Sequence, residues 1–352
     1  MRLLATYAVC ALLAVGAVGA LNWWVDPLGD VYDGAATAEA IRTGCSLSDD
    51  VVGVNSWWEF KRDLAARRRP TTIVVGTSRT IRLTARPGQR DFANESAPGT
   101  SAPMLADFFR DLHERRPGAL TVLLGVEVFW LNENWTPPYS YRTSTEVRVR
   151  DFLTRQRLSR TVALLWREPA LLFRRWSRGS VGGTCVLDRA GRAARGEVSL
   201  WGPDGSLQAP WELDPGLQKP VPADDFGRDL GSELDNPNAY LGGYYTKWRR
   251  LGHLGELERA LGLARSYRWR VVGFTAPYSA RYVERLQTAP ATARRWREFG
   301  ETMPRLFARY EYRYVDTRDV RRVGCAEPAF VDDGWHPTVA CSTRVRALLE
   351  SR

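Results

Sequence analysis

Three residues of this chain have the types and order needed for nucleophilic acyl chemistry. Ser78 stands in residues 71–80, TTIVVGTSRT, just after the apolar run Ile73-Val74-Val75 and Gly76. A hydroxyl attacks an ester carbonyl only when a base takes its proton, so a catalytic Ser78 requires a histidine. The chain has three, His113, His253 and His336. His336 lies in FVDDGWHPT, where Asp333 precedes it by three residues and can orient the imidazole from the same loop. Asp332 is the neighbouring alternative for that role. His113 and His253 fall in helical stretches, away from any expected loop. Ser78, Asp333 and His336 thus read as nucleophile, orienter and base.

Elements of defined geometry must bring these groups together. A short β-branched run closed by glycine reads as a strand buried on both faces of a parallel sheet. Gly76 permits the sharp bend that lifts Ser78 to the carboxyl edge of that sheet, where open α/β folds bind ligands. Residues 57–68 read as the preceding helix, ended by Pro70, and a short extended piece is expected near residues 91–93. A helix over 102–116 is followed by the longest internal apolar run, 119–130, read as a second central strand. Residues 152–176 read as an Arg-rich helix with an apolar stripe that lies against the sheet or near the membrane. From 177 to about 240 periodicity disappears, which predicts an irregular insertion or cap. Helices over 244–267, 279–286 and 291–309, with a break before Pro304, then alternate with strands at 269–275 and 312–316. A last helix over 338–349 follows His336. Such alternation predicts an α/β domain over 26–352, three-layered, with helices on both faces of a parallel sheet.

Residues 3–21 carry no charge and are followed by Trp23 and Trp24, which predicts a membrane-spanning helix with an interfacial aromatic pair. Residues 1–25 are accordingly read as an anchor, or as a signal peptide cleaved after the small residues near Ala20. Either reading places the remainder outside the cytoplasm; the anchor reading, which is the expected one, puts it at the cell membrane as a single-pass protein on the periplasmic or extracellular side. Cys45, Cys185, Cys325 and Cys341 remain beyond that segment, an even number suited to an oxidising compartment. Three connectivities are open; the expected one joins Cys325 to Cys341, clamping the His336 loop, and Cys45 to Cys185. The chain of 352 residues has a net charge of +10, 44% hydrophobic and 26% charged residues. These proportions exclude wholesale disorder. The excess of arginine is dispersed over helix faces and comes with no nucleic-acid-binding motif. No CxxC or His/Cys cluster points to a metal, and no cofactor is expected.

Several features taken together resemble the SGNH (GDSL-like) hydrolase superfamily, in particular its membrane-anchored branch of alginate O-acetylation and teichoic-acid D-alanylation proteins. They are the anchor followed by Asp26-Pro27, the Gly76-x-Ser78-Arg79 turn, the Asn94-x-x-x-x-Gly99 loop, the strand running into Phe129-Trp130-Leu131-Asn132, and Asp333-x-x-His336. The resemblance implies an SGNH or flavodoxin-like α/β/α fold and the triad Ser78, Asp333 and His336. It also implies an oxyanion hole built from the backbone N–H groups of Ser78 and Gly99. Two positions depart from the pattern. Thr77 stands where an aspartate precedes the nucleophile, and Gly125-Val126-Glu127-Val128 replaces a Gly-x-Asn-Asp block, which leaves Asn132 as the candidate third donor. Arg79 is expected to hold a substrate carboxylate or to anchor its loop. Trp130 and Trp335 are candidates for stacking on sugar rings, as are Trp135, Trp201 and Trp211; each also suits a core.

The expectation is an exported, anchored serine esterase or O-acyltransferase acting on acyl, chiefly acetyl, esters of a cell-envelope or secreted polysaccharide. A multispanning acyl-donor membrane protein is the partner implied by the resemblance. The alternative is a non-catalytic glycan-binding or assembly subunit that keeps the fold.

Overall fold

The structure, a computed structural model, describes residues 2–31, 33–53, 56–135, 152–189, 191–217, 244–245, 248–325, 330 and 335–351. The chain packs as two compact units. One comprises Met1–Asp63, Arg142–Pro203 and Gln208–Gln218, and the other Leu64–Tyr141, Asp204–Leu207 and Lys219–Arg352.

The larger unit is built on Thr72–Val75 (β1), Phe92–Asn94 (β2), Thr121–Gly125 (β3), Arg270–Phe274 (β4) and Arg313–Val315 (β5). All pair in parallel, in the order β5-β4-β3-β1-β2. The chain leaves β1 toward one side to make β2, then crosses to place β3 on the other side of β1. That reversal opens a crevice at the carboxyl ends of β1 and β3. Ile73, Val74, Val75, Val122, Leu123 and Leu124 are at most 1% exposed. Successive strand residues point to opposite faces, so both faces of the sheet are covered. On one face Val345 and Leu349 of the final helix, Val339–Glu350, cluster with Val74, Leu123 and Val272. Helices Ala102–Arg115 and Leu254–Ser266 pack on each other with Leu105, Phe109, Leu257 and Leu261 fully buried.

The smaller unit begins with helix Arg2–Val25, whose most apolar window is 0% buried. It is therefore no core helix, and its length and composition fit a membrane span or a signal sequence. Its last turn belongs to the fold. Asn22 is buried, its Nδ2 donates to the Phe152 carbonyl at 2.6 Å, and its Oδ1 accepts the Thr161 hydroxyl at 2.6 Å. Beyond the helix, Ser46–Ser48 lies between Thr184–Asp188, its parallel partner, and Leu200–Trp201, its antiparallel one. Thr184–Asp188 also forms a hairpin with Ser177–Val181. The two-residue turn is Gly182-Gly183, with φ of 53° and 79°, left-handed values that glycine adopts without strain. The Cys45–Cys185 disulfide ties two strands 140 residues apart in sequence.

Several boundaries differ from the sequence reading. The stretch from 177 to 217 holds a hairpin, two two-residue strands and two short helical turns separated by turns, because short strands of Ser, Gly, Arg and Thr show too little alternation to register; residues 218–243 lie outside the described residues. The apolar run 119–130 is strand only to Gly125 and then turns as a short 3-10 helix, Val128–Leu131. Of the helix expected from 244, Tyr244 and Tyr245 are helical, but residues 248–253 are not and the long helix starts at Leu254, since Gly252 backs onto Glu133 and His253 is left-handed at φ 55°. Helix Pro290–Arg309 continues unbroken through Pro304, with Phe299, Met303, Leu306 and Phe307 buried along it. That burial outweighs the one missing backbone hydrogen bond.

Candidate active site

The turn after β1 is determined by close approach and by hydroxyls. A Cβ at Gly76 would collide with the Thr80 side chain and lie 3.2 Å from the Gly125 carbonyl, so only glycine fits where β1 and β3 diverge. The Thr80 N–H donates to the Thr77 carbonyl at 3.1 Å, closing the turn around Ser78. Thr80 Oγ1 donates to the same carbonyl at 3.0 Å and lies 2.8 Å from Ser96 Oγ, whose hydroxyl it can accept. Asn94 Nδ2 donates to the carbonyls of Thr80 and Leu83, each at 2.9 Å, joining the nucleophile turn to the next loop. Residues on either side are buried, whereas Ser78 is only partly so. Its hydroxyl is thereby presented at the edge of the sheet.

His336 reaches that hydroxyl from the far end of the chain, with Nε2 2.8 Å from Ser78 Oγ. Its loop is closed by a bridge between Phe330 and Pro337 and by the Cys325–Cys341 disulfide. The final helix begins directly after it, capped by Thr338 Oγ1, which accepts the Cys341 N–H at 3.3 Å. Asp332 and Asp333 lie outside the described residues.

Arg79 links the two halves of the site. The side chain is 0% exposed. Its guanidinium pairs with the buried Glu127 carboxylate and donates to the carbonyls of Trp335 at 3.0 Å, Ala276 at 2.9 Å and Pro277 at 2.6 Å. It also lies 3.6 Å from the centre of the Tyr278 ring and 4.6 Å from that of Trp335. Burial opposes its charge, but the Glu127 carboxylate more than offsets this and holds the guanidinium above its ordinary value. Glu127 further accepts Thr77 Oγ1 at 3.0 Å and the Tyr278 hydroxyl at 3.3 Å. Burial pushes the Tyr278 phenol upward, which keeps it a neutral donor to that carboxylate. A charge pair this deep is held by its hydrogen bonds, and removing one member leaves the other buried and uncompensated.

The other residues named from sequence fall as follows. Gly99 has φ of 74° in the loop after β2, a conformation that favours glycine. Among the described residues, no acceptor takes the N–H of Ser78 or of Gly99. Asn132 is buried, with Nδ2 donating to the Tyr244 carbonyl at 2.9 Å and Oδ1 accepting the Asn134 N–H at 3.0 Å, so its carboxamide braces its own loop. Arg79 takes the anchoring role; full burial leaves no face for a substrate carboxylate. Sugar stacking by Trp130 or Trp335 does not fit their exposures of 0% and 5%. Trp335 is instead packed among Phe129, Tyr278 and Tyr282. His113 stacks on Tyr267 with ring centres 3.7 Å apart, and His253 pairs with Glu256 at 3.7 Å.

Sequence reasoning missed Glu127 as the partner of Arg79. The signal was present: Arg79 and Glu127 are isolated charges just beyond two apolar strands, and adjacent strands bring such charges together. Thr77, a departure from the resembled pattern, occupies its place as a hydrogen-bonding bridge, accepting the Arg79 N–H at 3.2 Å while donating to Glu127. Among the described residues no group of three or more His, Cys, Asp or Glu is arranged to hold a metal. The arrangement at the sheet edge can transfer a proton from a serine hydroxyl to an imidazole and offer nearby backbone N–H groups to a developing oxyanion. Comparison with protein-family models and with curated proteins finds no match to this chain.

Proposed function

We propose that this chain is an exported, membrane-anchored serine esterase or O-acyltransferase acting on acyl esters, chiefly acetyl, of a cell-envelope or secreted polysaccharide. The observation that carries the reading is the 2.8 Å contact between Ser78 Oγ and His336 Nε2 at the carboxyl edge of a parallel sheet. With the ring proton on Nδ1, the Ser78 hydroxyl donates to Nε2, the orientation a general base requires. Ser78 Oγ then bonds to the ester carbonyl carbon as its proton passes to His336. The Ser78 and Gly99 N–H groups receive the oxyanion. Collapse expels the sugar oxygen, which takes the proton from His336, and leaves an acyl-serine. Water or another sugar hydroxyl, deprotonated by His336, completes hydrolysis or transfer. Asp333 is the proposed orienter of the imidazole. Export is supported by the two disulfides and the apolar N-terminal helix.

Hydrolysis of p-nitrophenyl acetate by the purified full chain in detergent tests this directly. The expected result is a fall in kcat/KM of at least about 10³-fold for Ser78→Ala and for His336→Ala, with unchanged thermal unfolding. A wild-type chain that neither hydrolyses the ester nor reacts with a fluorophosphonate at Ser78 would exclude the esterase reading.

A further inference from the structure

Helix Arg155–Arg167 is turned the opposite way from an ordinary surface helix. The side chains it buries are polar: Arg157, 3% exposed, pairs with Asp30, and Thr161, 0% exposed, bonds Asn22. Of its apolar side chains Leu158, Leu164 and Leu165 are half-buried, while two large ones point outward. Val162 is 55% and Trp166 89% exposed. The turn that follows adds Leu172 at 44% and Phe173 at 87%, and Leu153 precedes the helix at 41%. In water such a face is unfavourable, since every large apolar group on it remains hydrated.

The position of this face identifies its occupant. Leu153 lies against Gly19 of the N-terminal helix, which a Cβ there would approach to 3.3 Å. Asn22 bonds the Phe152 carbonyl at 2.6 Å, and Trp24 Nε1 donates to the Leu172 carbonyl at 3.2 Å. The outward apolar groups therefore sit beside residues 19–24, the level at which an apolar span meets headgroups and where Trp23 and Trp24 are exposed. Arg155, Arg160, Arg167 and Arg174, all exposed, are interspersed with them. Tryptophan and phenylalanine beside arginines, on a helix and turn packed against the end of a span, match an interfacial element whose aromatics enter the acyl boundary while its cations meet phosphates.

We infer that residues 153–174 form a foot that rests on the surface of an anionic phospholipid bilayer, inserting Val162, Trp166, Leu172 and Phe173 next to the point where the N-terminal helix emerges. The inference rests on the membrane-anchor reading of that helix. It adds a second contact with the lipid that restrains how this unit can rotate about the span.

Nitroxide labels on the full chain, reconstituted in vesicles of phosphatidylethanolamine with phosphatidylglycerol, test it. In a Cys10→Ser background, single labels are placed through Trp166→Cys, Phe173→Cys, Leu12→Cys and Arg110→Cys. The expected ratio of oxygen to nickel-chelate collisions is at least about threefold higher at positions 166 and 173 than at the exposed position 110. Position 12 should read as the bilayer interior. A lipid-buried position 12 with an aqueous 166 and 173 would overturn the foot while leaving the anchor intact. An aqueous position 12 would overturn the anchor and the foot together. Labels at 166 and 173 shielded from both reagents would mean that protein covers this face, and would also overturn the proposal.

Discussion

The parallel sheet of the larger unit and the smaller mixed sheet are stabilised in different ways. In the former, β1, β3 and β4 are runs of Val, Ile and Leu buried on both faces, and the principal polar knot is Arg79 with Glu127. In the latter, Ser46–Ser48 and its neighbours bury a small set of apolar side chains, Leu47, Val186, Leu200 and Trp201 among them, alongside many polar ones. Order there also draws on the Cys45–Cys185 disulfide and on carboxylates held close together, with Asp50 paired to Arg192 at 3.1 Å and Asp188 accepting the Ala193 N–H at 3.0 Å. An apolar sheet is indifferent to pH and redox conditions, whereas one built on carboxylates and a disulfide depends on both. Ser78 stands on the first kind of support, whereas the His336 loop is also closed by the Cys325–Cys341 disulfide.

The largest effect is expected where the larger sheet departs from its own rule. Arg79→Ala should destabilise by roughly 3–5 kcal/mol, because Glu127 is left buried without its cation. Arg79→Met combined with Glu127→Gln should recover a good part of that loss. Denaturant titration of the three proteins checks this, and a double variant no more stable than the single one would show that the contacts to three carbonyls matter more than the charge pair. Next in size, Cys45→Ala with Cys185→Ala should cost about 2–4 kcal/mol through the freed unfolded chain. Thermal unfolding with and without reductant should show the wild type, but not the variant, losing stability on reduction at this bond.

A smaller effect is expected from Asp49. Burial raises its carboxyl, with the Asp50 charge adding to this, to about 6 from an ordinary 3.8. The folded chain then holds this proton more tightly than the unfolded one, so the contribution is full below about 4 and is lost as pH rises through about 6. Asp49→Asn should lessen the fall in melting temperature between those values, by an amount worth at most roughly 2–3 kcal/mol. An unchanged pH profile would place the sensitivity of this unit elsewhere. The smallest effect, about 1 kcal/mol, is expected from Thr338→Ala, which removes the N-cap of the last helix. It can be read from the denaturation midpoint.

The same contrast explains what was legible in the sequence. Ile73-Val74-Val75 and Gly76 announce a buried strand and its turn because a strand covered on both faces must be apolar throughout, and the pattern is local. Ser46–Ser48 announces nothing, because its partners come from 140 residues away and its polar residues bury only in their company. In the site, Ser78 and His336 were recognisable by type and setting. The aromatic side chains misled, since Trp335 reads equally as a sugar platform or as core, and only packing decides. Arg79 was ambiguous for a related reason: a charge beside a nucleophile is informative once its counter-charge is known, and Glu127 lies on a different strand connection.

The bond from Arg79 to the Trp335 carbonyl spans 256 positions, and the one from Ser78 to His336 spans 258. Synthesis proceeds from the N-terminus, so a chain interrupted anywhere before residue 335 carries Ser78 without the imidazole that faces it and Arg79 without one of the carbonyls that fix it. Long-range closures of this kind form late in folding. On the proposed chemistry, Ser78 therefore stays inert until residue 336 has been made and folded against it.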